Sequence, residues 1–511
     1  MYSTQKQLQH TQEPVEEDIF STTPVSFKLK LISDNLSSWV FRNEPGYYET
    51  NCPGCPCLPQ SLELRPYQRE AIGNWFANNG RGTLKMATGS GKTITSLAIA
   101  TELYKQINLQ VILVVCPYRH LVTQWARECE KFNLKPLLAF DNVRNWHNRL
   151  SSQIYNLRAG NQKFVTIITT NSTLISENFQ SQLRYLPDRT LIIGDEVHNL
   201  GAPALEENLP RRIGLRLGLS ATPERHFDEN GTQGIFDYFG NVLKPEFTLK
   251  DAINQGALVH YLYHPTLVEL TETEALAYAK LTKRIGRILL AQQKQNEEVE
   301  NIDSDRDITP LLVQRARLIS TAENKLQALK EIMETRRHTN HTLFYCSDAT
   351  LSPGDRSNLR QLKEVAKILG TDLGYRVNTY TANTSLQQRE NLRRQFESGE
   401  LQGLVAIRCL DEGVDIPAIE TAVILASSGN PRQFIQRRGR VLRPHPGKER
   451  ATIFDMIVLP PNLDRETFDI ERNLLKKELK RFVEFADLAD NAGQARMKLL
   501  ELQKRYNLID I

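Results

Sequence analysis

Four nearly unbroken apolar runs limit the fold of this chain more than any other feature: "VILVV" (111–115), "FVTIITT" (164–170), "TLIIGD" (190–195) and "RLGLSAT" (216–222). Each has the length of a strand, and helix-periodic text such as "VTQWARECEKF" lies between them. A strand that is apolar on both faces must be covered on both faces. The alternation therefore predicts a parallel sheet sandwiched between helices. A second series follows: "HTLFYC" (341–346), "RVNTYTA" (376–382), "GLVAI" (403–407), "TAVILAS" (421–427) and "ATIFDMIVL" (451–459). A chain of 511 residues is too long for one core, so the two series read as two α/β domains.

The text between and around them sets the boundaries. Residues 1–60 are polar and turn-rich, with a short strand expected at "VSFKLKLI", and read as an accessory segment. The first α/β domain runs over 61–248. Residues 249–337 are charged and helix-periodic, as in "ETEALAYAKLTKRIGRILLAQQ", and read as a helical linker or insertion. The second domain covers 338–460, and 461–511 read as a helical C-terminal extension with a solvated amphipathic face.

Composition excludes several classes. No run of about 18 apolar residues exists, so no membrane-spanning helix is expected. The first twenty residues have neither a basic start nor an apolar core, so no secretory signal is expected and the location reads as cytoplasmic. A net charge of +4 is too slight to demonstrate a nucleic-acid track. Seven scattered cysteines read as reduced thiols. Cys52, Cys55 and Cys57 cluster in "NCPGCPC", which reads first as a Pro/Gly-rich surface loop, because a structural zinc site takes four ligands and no fourth follows.

Two short stretches carry chemistry. In "MATGSGKT" (86–93) the backbone N–H groups of Thr88, Gly89, Ser90 and Gly91 can face phosphate oxygens. Lys92 can reach the β and γ phosphates, the Thr93 hydroxyl can bind Mg²⁺, and a following helix adds its positive dipole end. The usual pattern starts with glycine, where this chain has Met86. In "LIIGDEVHNL" a strand ends at Asp195 and Glu196, placing both carboxylates at the C-terminal edge of the sheet, where ligands bind in open α/β sheets. Asp195 would hold Mg²⁺, and Glu196 would orient the attacking water.

The ordered set "LRPYQREAI", "MATGSGKT", "VVCPYRHLVTQW", "GDEVH" and "LGLSATPER" resembles the superfamily 2 helicases and translocases over about residues 62–460. It is most similar to the restriction-subunit and XPB-type branch. Val197 and His198 depart from the Ala-Asp pair of DEAD-box RNA helicases, and in the resembled branch the first loop position is often not glycine. The resemblance implies two tandem RecA-like domains and ATP with Mg²⁺ as cofactor. It implies that Gln68, with Arg65, reads adenine, and that His198, Ser220 and Thr222 couple the ATP site to nucleic acid. It also implies that Arg119, Thr170 and Asn171 touch the strand. "FIQRRGRVLRP" matches the family's QxxGRxxR element in Gln436, Arg437, Arg440 and Arg443, so that Arg440 and Arg443 act as arginine fingers from the second domain. "IRCLDEGVDIP" supplies Gly413 and Asp415, the latter toward the ATP ribose.

The expected function is an ATP-driven helicase or translocase on nucleic acid, with DNA favoured, in repair or in restriction and phage defence. Nuclease or defence-system proteins are its expected partners, because the chain carries no nuclease pattern of its own. An RNA helicase, or a slowly hydrolysing scaffold that recruits a nuclease, are the alternatives. Intact Glu196, Arg440 and Arg443 argue against the scaffold.

Overall fold

The computed structural model describes residues 53–225, 228–293, 308–347, 357–381, 384–407, 416–426, 439–461 and 465–510. The strand expected at 25–32 lies outside these residues, as do Cys52, Gly413, Asp415, Gln436 and Arg437.

Two parallel sheets organise the chain. The first has seven strands: β1 (Arg81–Met86), β2 (Val111–Cys116), β3 (Pro136–Ala139), β4 (Val165–Thr170), β5 (Thr190–Asp195), β6 (Leu215–Ser220) and β7 (Val242–Phe247). Their order is β3-β4-β2-β5-β6-β1-β7. The second has β8 (His260–Glu269), β9 (Thr342–Cys346), β10 (Val377–Tyr380), β11 (Gly403–Ile407), β12 (Thr421–Ile424) and β13 (Arg450–Leu459), ordered β10-β11-β9-β12-β13-β8. All pairings are parallel, so every strand of a sheet ends at the same edge.

The apolar runs form strands for the reason given above. In β2 the side chains alternate between two cores: Ile112, Val114 and Cys116 enter one, and Val111, Leu113 and Val115 the other. Four helices matter for the site: α1 (Pro66–Ala77), α2 (Lys92–Ile107), α3 (Arg119–Lys131) and α4 (Val143–Arg158).

The segment 249–337 departs from the helical reading. Its residues 260–269 form β8, which pairs with β13 along ten residues and belongs to the second sheet. The alternation of Tyr261, Tyr263 and Pro265 toward the core is a period-2 signal that the surrounding helical text conceals. Pro265 is tolerated because β8 is an edge strand. Among its described residues a short helix, Leu249–Asn254, precedes β8, and three helices follow it: α5 (Glu272–Gln293), α6 (Thr309–Ser320) and α7 (Asn324–Glu334). In the second domain α8 (Leu386–Glu397) follows β10.

The C-terminal helices α9 (Arg465–Asp487) and α10 (Ala492–Arg505) are packed rather than solvated on all sides: Leu475, Leu479, Leu499 and Leu502 are buried. Asn491 clamps the backbone of Tyr263 in both directions, accepting from its N–H at 2.8 Å and donating to its carbonyl at 2.9 Å. Arg315 of α6 and Glu471 of α9 form a buried ion pair at 2.7 Å, and the Tyr278 hydroxyl of α5 donates to the same carboxylate at 2.6 Å. A buried charge pair left with one partner is strongly destabilising, so this triad fixes the helical segment to the tail.

Cys55 is disulfide-bonded, which corrects the expectation of reduced thiols at that residue and removes it as a thiolate ligand. Cys57 is free and exposed, and Cys116, Cys129 and Cys346 are free and buried. Among the described residues no cluster of three His, Cys, Asp or Glu side chains is arranged to hold a metal, and no helix is long and apolar enough to cross a membrane.

Candidate nucleotide site

The loop of "MATGSGKT" leaves β1 and enters α2. The sequence pattern does not mark β1, because Arg81 and Lys85 interrupt it; Lys85 reaches the surface to pair with Glu224 at 2.8 Å and Glu246 at 3.4 Å. Met86 is the last residue of that strand, buried in the core and opposite Phe247 of β7. The position where glycine is usual is therefore the paired end of a strand here, and the turn is made by Gly89 and Gly91 at φ 87° and 89°. The loop ends at the N-terminus of α2, where unpaired N–H groups and the dipole favour an anion.

Lys92 is folded back into this loop. Its Nζ donates to the carbonyls of Met86 at 3.0 Å and Ala87 at 3.3 Å. Burial lowers its pKa, opposed by Glu196 and Asp195. Gln68 is also committed inside the protein: Nε2 donates to Thr95 Oγ1 at 3.1 Å and to the Gly91 carbonyl at 3.4 Å, while Oε1 accepts from the Arg65 N–H at 2.9 Å. Its amide seals the base of the loop, so the adenine-reading role expected of Gln68 has no free donor here. Tyr67 reinforces the seal by donating to the Ser90 carbonyl at 2.6 Å while stacking on Phe247.

Asp195 and Glu196 emerge at the C-terminal edge of β5. Asp195 accepts from the indole N–H of Trp125 at 2.8 Å through one oxygen, and from the Glu196 backbone N–H at 3.0 Å through the other. Burial, and then the Glu196 charge, raise its pKa to about 6. Glu196 itself sits in the left-handed region at φ 45°, ψ 54°. A non-glycine residue held there stores about 1–3 kcal/mol of strain, a feature concentrated at working sites. The buried oxygens Glu196 Oε2, Thr88 Oγ1 and Thr222 Oγ1 lack a hydrogen-bond partner within the protein. Hard oxygen donors at Thr93 and Asp195, with orphaned oxygens beside them, fit a hydrated Mg²⁺ and a phosphate chain.

The three expected coupling residues meet. His198 Nδ1 lies 3.1 Å from Ser220 Oγ, and that hydroxyl accepts from the Thr222 N–H at 3.0 Å. His198 Nδ1 also stands 3.6 Å from Glu196 Oε2. The ends of β5 and β6 are thus joined through one hydroxyl.

The second domain closes the site. A Cβ on Gly89 would stand 3.3 Å from Arg443 Cγ and 3.6 Å from its Nε, so the Arg443 side chain lies on the phosphate loop. A Cβ on Gly439 would stand 3.1 Å from Thr88 Cβ. Arg440 is buried near His120, whose pKa is lowered to about 4 by burial, then by Arg440 and Arg389. Farther out, Arg127 of α3 pairs with Glu390 of α8 at 3.6 Å.

The strand candidates divide. Arg119 is exposed and pairs with Asp141 at 2.7 Å. Thr170 is buried and its hydroxyl accepts from the Thr173 N–H at 3.3 Å, capping a short helical turn. Asn171 is buried too, with Oδ1 unpartnered. Linear reading missed Tyr67, Trp125, His120 and Arg127. Trp125 has only the helical spacing of Leu121, Val122, Trp125 and Cys129 to announce it, and that spacing signals burial, not a bond to Asp195.

The family described as "Type III restriction enzyme, res subunit" matches residues 61–225, and "Helicase conserved C-terminal domain" matches 324–445. The chain is 26% identical over 411 residues to the DNA 3'-5' translocase XPB2 of Sulfurisphaera tokodaii, covering 76% of this chain and 80% of that one. It is 26% identical over 436 residues to the DNA 3'-5' helicase XPB of Mycobacterium tuberculosis, where it spans 84% of itself but 66% of the relative. The fold resembles that of the ATP-dependent Type ISP restriction-modification enzyme LlaBIII bound to DNA, with TM-score 0.55 and 18% identity over 84% of this chain and 30% of that one.

Proposed function

We propose, from the premise that this chain belongs to the superfamily 2 helicases and translocases of the restriction-subunit and XPB branch, that it is an ATP-driven motor on duplex DNA. The observation that carries the proposal is the seating of Arg443 on the phosphate loop, which makes one nucleotide site out of two domains.

Bound ATP would take its phosphates on the N–H groups of Thr88 to Thr93, drawing Lys92 Nζ off the Met86 and Ala87 carbonyls. Thr93 and Asp195 would hold Mg²⁺, which neutralises phosphate charge when bound. Glu196 orients the attacking water and takes up its proton. Arg440 and Arg443 stabilise charge on the γ-phosphoryl oxygens. ATP contacts on both domains favour closure, and losing them on hydrolysis favours opening. The shift equals the differential affinity of the two states. His198, Ser220 and Thr222 pass the state of Glu196 toward the strand side. Arg119, Thr170 and Asn171 are the proposed first-domain contacts to the strand, through phosphates and sugars, which implies low sequence specificity.

Duplex DNA is favoured because the named relatives act on DNA. Repair or restriction is the proposed setting and the cytoplasm the proposed place. A partner nuclease would supply any cutting. The test is the ATPase rate with double-stranded DNA, single-stranded DNA and RNA added separately. Duplex DNA should stimulate most. Stimulation by RNA alone would replace the DNA reading, and no stimulation would favour a scaffold.

A further inference from the structure

The end of the finger helix is built in an unusual way. The last carbonyls of a helix have no partner within it and must be satisfied from outside. Here Val441, Leu442 and Arg443 follow Arg440 directly, and each carbonyl finds a donor beyond the helix. Leu442 accepts from the backbone N–H of Val259, at the entry to β8, at 2.8 Å. Val441 and Arg443 both accept from one ammonium, Lys448 Nζ, at 2.6 and 2.8 Å. The third N–H of that ammonium reaches the Pro417 carbonyl at 3.3 Å.

The sequence explains how Lys448 arrives there. "HPGK" (445–448) is a turn in which the Lys448 N–H donates to the His445 carbonyl at 2.9 Å. Pro446 presets the first central position and Gly447, at φ 82°, supplies the left-handed second one, as a type II turn requires. The chain reverses and the lysine stem runs back under the helix it has just left. Lys448 is 7% exposed. Burial pulls its pKa down to about 8, still above neutrality, so the amine is the cation with three hydrogens to place. All three go to backbone carbonyls. Pro417 closes "IRCLDEGVDIP", Val441 directly follows one finger residue, Arg440, and Arg443 is the other. One buried cation therefore joins the ends of the two second-domain motifs to each other.

We propose that Lys448 is the positioning residue of the arginine-finger helix, holding Arg443 against Gly89 while linking it to the segment that ends at Pro417. This rests on the reading that Arg440 and Arg443 complete the ATP site. Lys448 touches no nucleotide atom; it acts through Arg443.

The test compares Lys448→Met, Lys448→Arg, Arg443→Ala and the double variant Lys448→Met/Arg443→Ala in the full chain. It reads DNA-stimulated ATP turnover and the binding of a fluorescent ATP analogue. Misplacing a catalytic group by an ångström costs up to about a hundredfold, so Lys448→Met should lower kcat by about tenfold or more. KM for ATP and analogue binding should stay within about twofold, because the phosphate loop is untouched. Lys448→Arg, which keeps donors for two carbonyls, should recover most of the rate. The double variant should be no slower than Arg443→Ala alone, since a misplaced finger and an absent finger are the same defect. A merely structural lysine would lower stability and multiply with the finger loss. Normal turnover in Lys448→Met beside an impaired Arg443→Ala overturns the Lys448 inference alone, as do multiplying losses. Normal turnover in Arg443→Ala overturns the finger reading itself. If Lys448→Met melts early, Lys448→Gln is read against the same criteria.

Discussion

Replacing Trp125 by Phe tests whether the indole sets the metal-binding carboxylate. The ring remains, and one donor is lost: the N–H that Asp195 accepts at 2.8 Å. Asp195 then keeps only the Glu196 backbone N–H. A hydrogen bond to a buried charged group contributes about 1.5–3 kcal/mol. With a mid-range loss of about 2 kcal/mol, and about 1.4 kcal/mol per decade, the carboxylate should hold Mg²⁺ some 30-fold more weakly. The smaller ring leaves a void in the core, lowering stability by about 1–2 kcal/mol. A fluorescent ATP analogue separates the two effects. In EDTA the variant should bind it as the wild type does, because the phosphate loop is intact. As Mg²⁺ is titrated, the gain in affinity should require about 30-fold more metal. A Mg²⁺ titration that superimposes on that of the wild type would refute the reasoning and leave Trp125 a core residue.

Glu196→Gln should keep nucleotide and DNA binding but lower turnover by about a hundredfold or more, since a positioned general base contributes about 10²–10⁴; unchanged turnover would remove Glu196 from water activation. Arg440→Ala should lower turnover by about 10³ while binding of the ATP analogue holds. Equal losses in binding and turnover would make Arg440 a ground-state contact. His120, with a native pKa near 4 against 6.5 when unfolded, is part-buried and held neutral near Arg440 and Arg389. The unfolded chain takes up the proton first, so its stabilisation is complete above 6.5 and is lost as pH falls through 4, by at most about 3 kcal/mol. Denaturant midpoints at pH 7 and 4.5 should therefore differ less in His120→Asn than in the wild type, and equal differences would sink the assignment.

Most of the strands that could be read from sequence are buried on both faces, since full burial writes continuous apolar text; β10, only partly buried, is read from its β-branched and aromatic residues. β1, β3, β7 and β8 escaped because each alternates or carries charge: Lys85 reaches out to two glutamates, the four-residue β3 is buried only at every second position, β7 reads "VLKPEF", and β8 hides its tyrosines in helix-like surroundings. The same distinction divides the site. Lys92, Asp195 and Glu196 were legible because short motifs specify a loop and a strand end. Gln68 and Thr170 carry bonds that their motifs do not announce: both side chains satisfy backbone groups, and nothing in a linear motif says whether a polar atom faces a ligand or its own fold. Lys448 and Trp125 act across 5 and 70 residues of chain through bonds that only the turn at 445–448 and the register of α3 on β5 create.

Helix α3 draws these contacts into one mechanical argument. It carries Arg119 toward solvent at its first turn, His120 beside Arg440 and Arg389, Trp125 on Asp195, and Arg127 on Glu390. The bond inside the first domain is buried and charge-assisted. The bond across to the second domain joins side chains 65% and 31% exposed, and such exposed pairs contribute about 0–1 kcal/mol. When the domains separate, the exposed pair must therefore yield before the buried one does. In the proposed mechanism, opening would leave Asp195 held by Trp125 while releasing Arg443 from Gly89, so the proposed metal ligand would stay ordered while the proposed fingers move. A rigid half-site in the first domain and a movable half-site in the second is the arrangement a hydrolysis-driven ratchet needs, and α3 is the element through which a strand touching Arg119 would sense which state the cleft is in.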